Sequence, residues 1–173
     1  MRLIANAAGF ALVLTAFPAS AEDAKPNDAQ IAHIAYTAGA IDIEAAQLAL
    51  QKSKNKEVRD FAENMVRDHT AVNDQALALV KKLNVTPEDN DTSKALTKQA
   101  ETKHTELEKL SGAKFDKAYA DNEVAYHKTV DGALETVLIP DAGNAELKDL
   151  LKTGLKIFQG HEMHAEHVAQ SLK

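Results

Sequence analysis

The stretch Val58–Leu83, VRDFAENMVRDHTAVNDQALALVKKL, decides the fold of this chain. His69 interrupts an otherwise apolar stripe in it, at a position where another apolar residue is expected. The stripe recurs at spacings of three and four, which predicts an amphipathic helix with one face in a core. It consists of Val58, Phe61, Met65, Val72, Ala76, Leu79 and Leu83. A titratable imidazole is therefore predicted to face the core.

Apolar residues recur at the same spacing before and after this helix along the chain. Helices are predicted over residues 27–53, 56–83, 93–110, 113–139 and 145–172. Asn27, Ser111 and Asn144 are suited to be N-caps, and short turns at Asn55 and Pro140 make antiparallel hairpins. The segment 93–110 has the thinnest apolar stripe and belongs to the long middle connection. The sequence predicts an all-α, ferritin-like antiparallel four-helix bundle with an extra short helix in that connection.

The first residues have the pattern of a secretory signal peptide. Arg2 gives a positive start, residues 3–17 are largely apolar, and residues 18–21 end in A-x-A. We expect cleavage after Ala21, a flexible linker over residues 22–26 and the bundle domain over residues 27–173. No later stretch approaches the roughly 20 apolar residues of a membrane span, and there is no cysteine. A periplasmic protein without a span in the mature chain is expected.

The charge balance limits the partners. The 173 residues include 20 Lys and Arg against 26 Asp and Glu, a formal net charge of −6. Nucleic acids and anionic lipids are bound mainly through basic residues, so neither is expected here. The sequence defines no protein partner and leaves a homo-oligomer open.

Each long helix contributes one candidate metal ligand on or beside its apolar stripe. These residues are Glu44, His69, His127 and His161. Three imidazoles and a carboxylate suit a transition metal such as zinc, copper or iron. Residues near them in sequence are candidates for orienting the histidines or for replacing a ligand. They are Asp68, Asp116, Glu123 and His164.

Other motifs give weaker signals. In HEMHAEH, His161, His164 and His167 are spaced by three, so one ion cannot take all of them from a rigid helix; a weak two-histidine surface site stays open beside a solvated face. A di-iron carboxylate centre needs Glu-x-x-His on two helices, and this pattern occurs only at Glu101–His104. No nucleophile elbow, phosphate loop or dinucleotide fingerprint is present. Enzymatic activity therefore has no positive support.

Several segments together resemble the DUF4142 family of exported bacterial proteins, often labelled as outer-membrane proteins. They are IEAAQLAL with Glu44, VRDFAENMVRDHT with Asp68 and His69, FDKAYADNEVAYH with Phe115, Asp116, Tyr119 and His127, and FQGHEMHA with His161. The resemblance covers nearly all of the predicted mature chain. It implies a ferritin-like helical bundle and brings no established ligand set. The outer-membrane label conflicts with the absence of spans and of alternating strands in this sequence.

Two main functional hypotheses follow. The first is an exported bundle that binds or buffers a transition metal through Glu44, His69, His127 and His161, in a stress or metal-homeostasis role. The second is a non-catalytic structural or interaction bundle whose core histidines are only hydrogen-bonded to nearby carboxylates and tyrosine hydroxyls. A third, an acid sensor, would require buried histidines that charge below about pH 6.

Overall fold

The computed structural model describes residues 25–172, so the expected signal peptide, its cleavage after Ala21 and most of the linker lie outside the described residues. The helices are α1 (Asp28–Lys52), α2 (Lys56–Lys82), α3 (Asp91–Glu108), α4 (Gly112–Ala133), a π-helical segment (Leu134–Leu138), a short α5 (Ile139–Asp141) and α6 (Ala145–Ser171). The prediction of an all-α fold is confirmed. Within the described residues no helix is long and apolar enough to cross a membrane.

Asparagines cap three of the four long helices. The Asn27 side chain accepts from the backbone N–H of Gln30 and forms a capping box, and Asn55 and Asn144 cap α2 and α6. Such caps satisfy backbone donors that have no partner inside the helix. Ser111 occupies the N-cap position of α4 as predicted, but its side chain makes no capping hydrogen bond.

The helices pair as two hairpins. α1 packs along α2, and α4 packs along α6. Contacts between α2 and α6, and between α1 and α4, close the bundle. α3 packs mainly on α1 and buries only Ser93 and Leu107, which agrees with its thin apolar stripe. The ferritin-like four-helix arrangement predicted from the sequence is confirmed.

The core consists of two apolar halves. The Phe61 core contains Ala46, Leu48, Ala49, Val58, Phe61, Ala62, Met65, Leu107, Phe115, Tyr119, Ala120, Ala165 and Val168. The Leu151 core contains Ile31, Ala32, Ile34, Leu134, Leu138, Ala142, Leu147, Leu151 and Phe158. Along each long helix, a stretch between these halves belongs to neither. Buried polar residues from all four long helices occupy that middle layer, which apolar packing flanks on both sides.

The chain after α4 departs from a regular α-helix at Leu134–Leu138. The sequence predicts an unbroken helix to residue 139 with Val137 on its buried stripe. Instead, the π-helical segment widens one turn, Leu134 and Leu138 are buried, and Val137 is 39% exposed. Because a π turn holds more residues than an α turn, it changes which side chains face inward. The expected position of Val137 is corrected accordingly.

α1 and α2 approach each other closely at Gly39. A Cβ atom at this position would overlap the Oδ1 atom of Asn73. Asn73 is itself buried and donates from Nδ2 to the Tyr36 carbonyl at 3.3 Å. The side chain therefore has little freedom to move away.

We expect Gly39→Ala to destabilise the protein by about 1–3 kcal/mol, because overlap in a packed interior outweighs the gain in helix propensity. Gly160→Ala is the matched control. A Cβ there would meet nothing within 4 Å, so the same substitution should stabilise α6 by about 1 kcal/mol. Urea unfolding measures both. Equal stabilisation by the two changes would contradict the proposed close approach.

Candidate metal centre

Three imidazoles from three helices meet in the middle layer. His69 of α2, His127 of α4 and His161 of α6 are 3%, 1% and 6% exposed. Their ring centres are 5.8 Å apart for His69 and His127, 5.2 Å for His69 and His161, and 5.6 Å for His127 and His161. One donor atom from each lies within 4.8 Å of the other two. The structure thus brings these three predicted residues together.

The distances between the three ring centres are close to those expected for imidazoles that bind one metal ion. Imidazoles that bind one ion through nitrogen at about 2.0–2.1 Å have their ring centres about 5 Å apart. The observed separations of 5.2–5.8 Å are slightly larger. A contraction of a few tenths of an ångström would bring the rings to that spacing.

α1 contributes Asp42 to this layer, and the expected position of Glu44 is wrong. Asp42 is 1% exposed, and its Oδ2 atom lies 2.9 Å from His69 Nε2 and 3.3 Å from His127 Nε2. Glu44 is exposed. Adjacent donor atoms on a tetrahedral ion are about 3.3 Å apart at bond lengths near 2.0 Å. Asp42 therefore has the spacing of a fourth ligand.

A stripe of small residues explains this correction. The sequence interpretation followed Ile41 and Leu48, which places Glu44 between them. The buried face instead includes Ala38 and Ala46, four residues before and four residues after Asp42. Small side chains let α1 approach its neighbours closely, and the short aspartate fits at the centre of that contact. The alanine spacing was the signal that could have identified Asp42.

The protonation of His127 is fixed by its own helix. Its Nδ1 atom lies 3.0 Å from the backbone carbonyl oxygen of Glu123. A carbonyl oxygen only accepts, so Nδ1 carries the proton and donates it. In the neutral ring Nε2 then has a lone pair, and burial lowers the pKa of His127, which favours the neutral ring. This lone pair has no hydrogen-bond partner and faces the Asp42 carboxylate.

His161 is oriented by a carboxylate on α2. Its Nε2 atom lies 3.0 Å from Asp68 Oδ2, and Arg67 donates two hydrogen bonds to Asp68 at 2.7 and 2.9 Å. The Arg67 guanidinium lowers the pKa of Asp68, so the carboxylate accepts and His161 Nε2 donates. The buried Nδ1 atom is left with a lone pair and no partner. Burial lowers the pKa of His161 to about 4.

His69 has no hydrogen bond at either ring nitrogen, despite its short distance to Asp42. Its ring stacks on Phe158 with centres 4.4 Å apart and an interplanar angle of 6°. This stacking fixes the plane of the ring. The middle layer therefore holds several buried electron-pair donors with too few protons between them, an arrangement that a bound cation would satisfy.

Charge in this layer is divided between two carboxyl groups. Burial would raise the pKa of Asp42, but the facing His69 and His127 imidazoles outweigh it and hold the pKa well below its usual range. Burial, with the nearby Asp42 carboxylate, raises the pKa of Glu123 well above its usual range. Asp42 is therefore the anionic ligand candidate, whereas the Glu123 carboxyl group holds its proton more strongly than usual. The contact of Glu123 with His127 Nδ1 is through the backbone carbonyl oxygen.

The remaining predicted residues lie elsewhere. Asp116 is buried but is eleven residues before His127 on α4, a rise of about 16 Å. His164 packs edge-on against Phe61, with ring centres 5.1 Å apart, and is not part of the cluster. His104 lies on α3, 3.7 Å from Glu108.

Asp131 was not predicted from the sequence. It lies one turn beyond His127 on α4, is 5% exposed, and has no hydrogen-bond partner at either oxygen. Burial, with the nearby carboxylates of Glu162 and Glu135, raises the pKa of Asp131 to about 7. The four-residue spacing from His127 was the available signal.

Asp131→Asn should stabilise the metal-free protein in a pH-dependent way. Because the folded pKa is about 7 and the reference value is 3.8, the contribution of this group to stability is full below pH 3.8 and falls as the pH rises to about 7. After solvent screening, we expect the variant to gain about 1–2 kcal/mol at pH 8 and almost nothing at pH 4. Urea unfolding in EDTA at both pH values measures the difference. A gain that does not change with pH would contradict this account.

Fold and site together define a ferritin-like four-helix bundle with three histidines and one aspartate at its centre. The chain belongs to the family described as "Domain of unknown function (DUF4142)", whose model matches residues 14–168. A solved structure described as "CopM in the Cu(II)-bound form" is similar in fold, with a TM-score of 0.65 and 14% identity, over 86% of this chain and 99% of that chain. No curated protein matches this chain.

Proposed function

We propose that this protein binds one divalent transition-metal ion in the middle of its bundle and serves as an exported metal-binding or metal-buffering protein. His69, His127, His161 and Asp42 are the ligands. The observation that carries the proposal is the meeting of one donor atom each from His69, His127 and His161 within 4.8 Å of one another. The Asp42 carboxylate lies 2.9 and 3.3 Å from the first two of these rings. The predicted signal peptide over residues 1–21 supports an exported location.

The surroundings of the donors support the same function. Glu123 holds His127 in one tautomer, and Asp68 with Arg67 does so for His161. Carboxylate and carbonyl partners of this kind orient histidine ligands and raise their basicity. The four donor side chains are at most 6% exposed, and the low dielectric of such buried surroundings strengthens the attraction between a cation and Asp42.

The donor set favours copper or zinc. Borderline imidazoles with one carboxylate suit both ions, and copper(II) binds such sites more tightly in general. The similar fold of a protein solved in a Cu(II)-bound form makes copper(II) the first ion to test. Iron storage is disfavoured because the layer has few ionised carboxylates.

Equilibrium dialysis of EDTA-stripped protein without a metal-binding tag tests the proposal. We expect one Cu(II) or Zn(II) per chain and a higher melting temperature in its presence. A ligand at about 1,000 times its Kd adds roughly 4 kcal/mol, or about 10 °C for a domain of this size. No bound ion and an unchanged melting temperature would overturn the proposal.

The second candidate is a structural bundle. The hydrogen bond between His161 and Asp68 favours it, because that histidine has a partner without any metal. In this account His69 also has a partner without any metal, the Asp42 carboxylate at 2.9 Å. The dialysis experiment separates the two functions, since an ion pair alone binds no metal stoichiometrically.

A further inference from the structure

A column of polar side chains on α4 and on the π-helical segment that follows it leads from the middle layer toward solvent. Tyr119, Glu123, His127, Asp131 and Glu135 are each four residues apart. On an α-helix, residues four apart are about 6 Å apart along the axis and are rotated by about 40° around it. Such a column therefore turns gradually from the buried face of the helix to its exposed face. The first three are at most 1% exposed, Asp131 is 5% exposed, and Glu135 is exposed.

Along this column, Asp131 lies between the exposed Glu135 and the buried His127. The carboxylates of Glu162 and Glu135 and the His69 imidazole are all near enough to influence its charge. Both of its oxygens are buried without a hydrogen-bond partner, which a purely structural aspartate would normally have. Two unpartnered acceptors at this position can replace water molecules around a cation that leaves solvent.

The other opening to the histidines is poorly suited to a cation. A cavity of about 870 Å³ also reaches Asp42, His69 and His127. Its walls beside the Leu151 core are largely apolar, with Val72, Leu151 and Phe158 among them. Polar side chains such as Asn73 and Asp91 line other parts of the cavity. The stretch beside the Leu151 core offers few groups to replace the water that a hydrated cation would lose there, which is unfavourable.

We propose that Glu135, Glu162 and Asp131 form the route by which a divalent metal cation enters and leaves the histidine site. The inference rests on the proposed metal-binding function. Glu135 and Glu162 attract the hydrated ion at the surface, and Asp131 takes over part of its hydration shell. The ion then passes one helical turn along α4 to His127. Asp131 is a positioning residue on this route and not a ligand of the final site.

Stopped-flow quenching of tyrosine fluorescence by Cu(II) tests the route with the full mature chain, which has no tryptophan. For Asp131→Asn we expect the association rate to fall about tenfold or more. The dissociation rate, measured by transfer to excess EDTA, should fall by a similar factor, because one barrier governs both directions. The equilibrium Kd should therefore change by less than about threefold.

Asp149→Asn is the matched control. It removes the same charge from an exposed position on α6, where Asp149 lies 3.4 Å from Lys152. Its rates should stay within about twofold of the wild type, which separates a local route from the general attraction of an acidic protein. Glu135→Gln, an exposed change that does not disturb the core, should slow both rates about two- to threefold.

The outcomes separate the route from the site. Retained Cu(II) binding with unchanged rates in Asp131→Asn and Glu135→Gln would overturn the route alone. Faster dissociation with a Kd weakened more than about tenfold would show that Asp131 is a ligand, and would also overturn it. Absence of Cu(II) binding by the wild type would overturn the proposed function and the route together.

Discussion

Replacing His69 and His127 together by leucine is expected to abolish the metal-dependent rise in melting temperature. The two rings supply two of the proposed ligands, and one remaining histidine with Asp42 does not make a tight site. The wild type should gain roughly 10 °C in saturating Cu(II), whereas the double variant should gain less than about 2 °C. Differential scanning calorimetry with and without Cu(II) measures this change.

The double variant should still fold in the absence of metal. Burial alone would raise the pKa of Asp42 once its imidazole partners are removed. The carboxyl group would then be neutral and less costly in a leucine-lined layer. His104→Leu with His167→Leu removes the same number of histidines from α3 and from the exposed face of α6, and should keep the full metal-dependent shift. A similar loss in this control would place the ion at the surface.

Asp42→Asn is expected to weaken Cu(II) binding at least about 100-fold, because a neutral amide replaces the only ionised carboxylate proposed as a ligand. Glu44→Gln removes a carboxylate two residues away on the same helix. Since Glu44 is exposed, the Kd of the Glu44→Gln variant for Cu(II) should stay within about twofold of the wild-type value. Competition with a chelator of known affinity measures both. A larger effect of Glu44→Gln would contradict the position of α1 in the bundle.

Local chemistry in the sequence was sufficient to predict most of the fold. Asn27 and Asn144 cap α1 and α6 as predicted, Asn55 lies at the predicted turn before α2, and the spacing of the apolar residues identifies α2 and α6. The π-helical segment could not be predicted in this way. Packing against the neighbouring helices, rather than residue preference, decides whether one turn of a helix widens.

The candidate site was only partly predictable. His69, His127 and His161 stand out because an imidazole interrupts an apolar stripe. Asp42 does not, because the residues around it on the buried face are alanines and glycine, which carry little hydrophobic signal. Which of Asp42 and Glu44 points inward depends on a rotation of α1 that its close contact with α2 determines.

Anomalous diffraction from crystals of the Cu(II)-loaded protein, recorded at the copper absorption edge, tests the central claim most directly. The account predicts one dominant peak per chain, about 2 Å from nitrogen atoms of His69, His127 and His161 and from an oxygen of Asp42. A protein that gives its only peak at the exposed His167 of α6, or gives none, would contradict it.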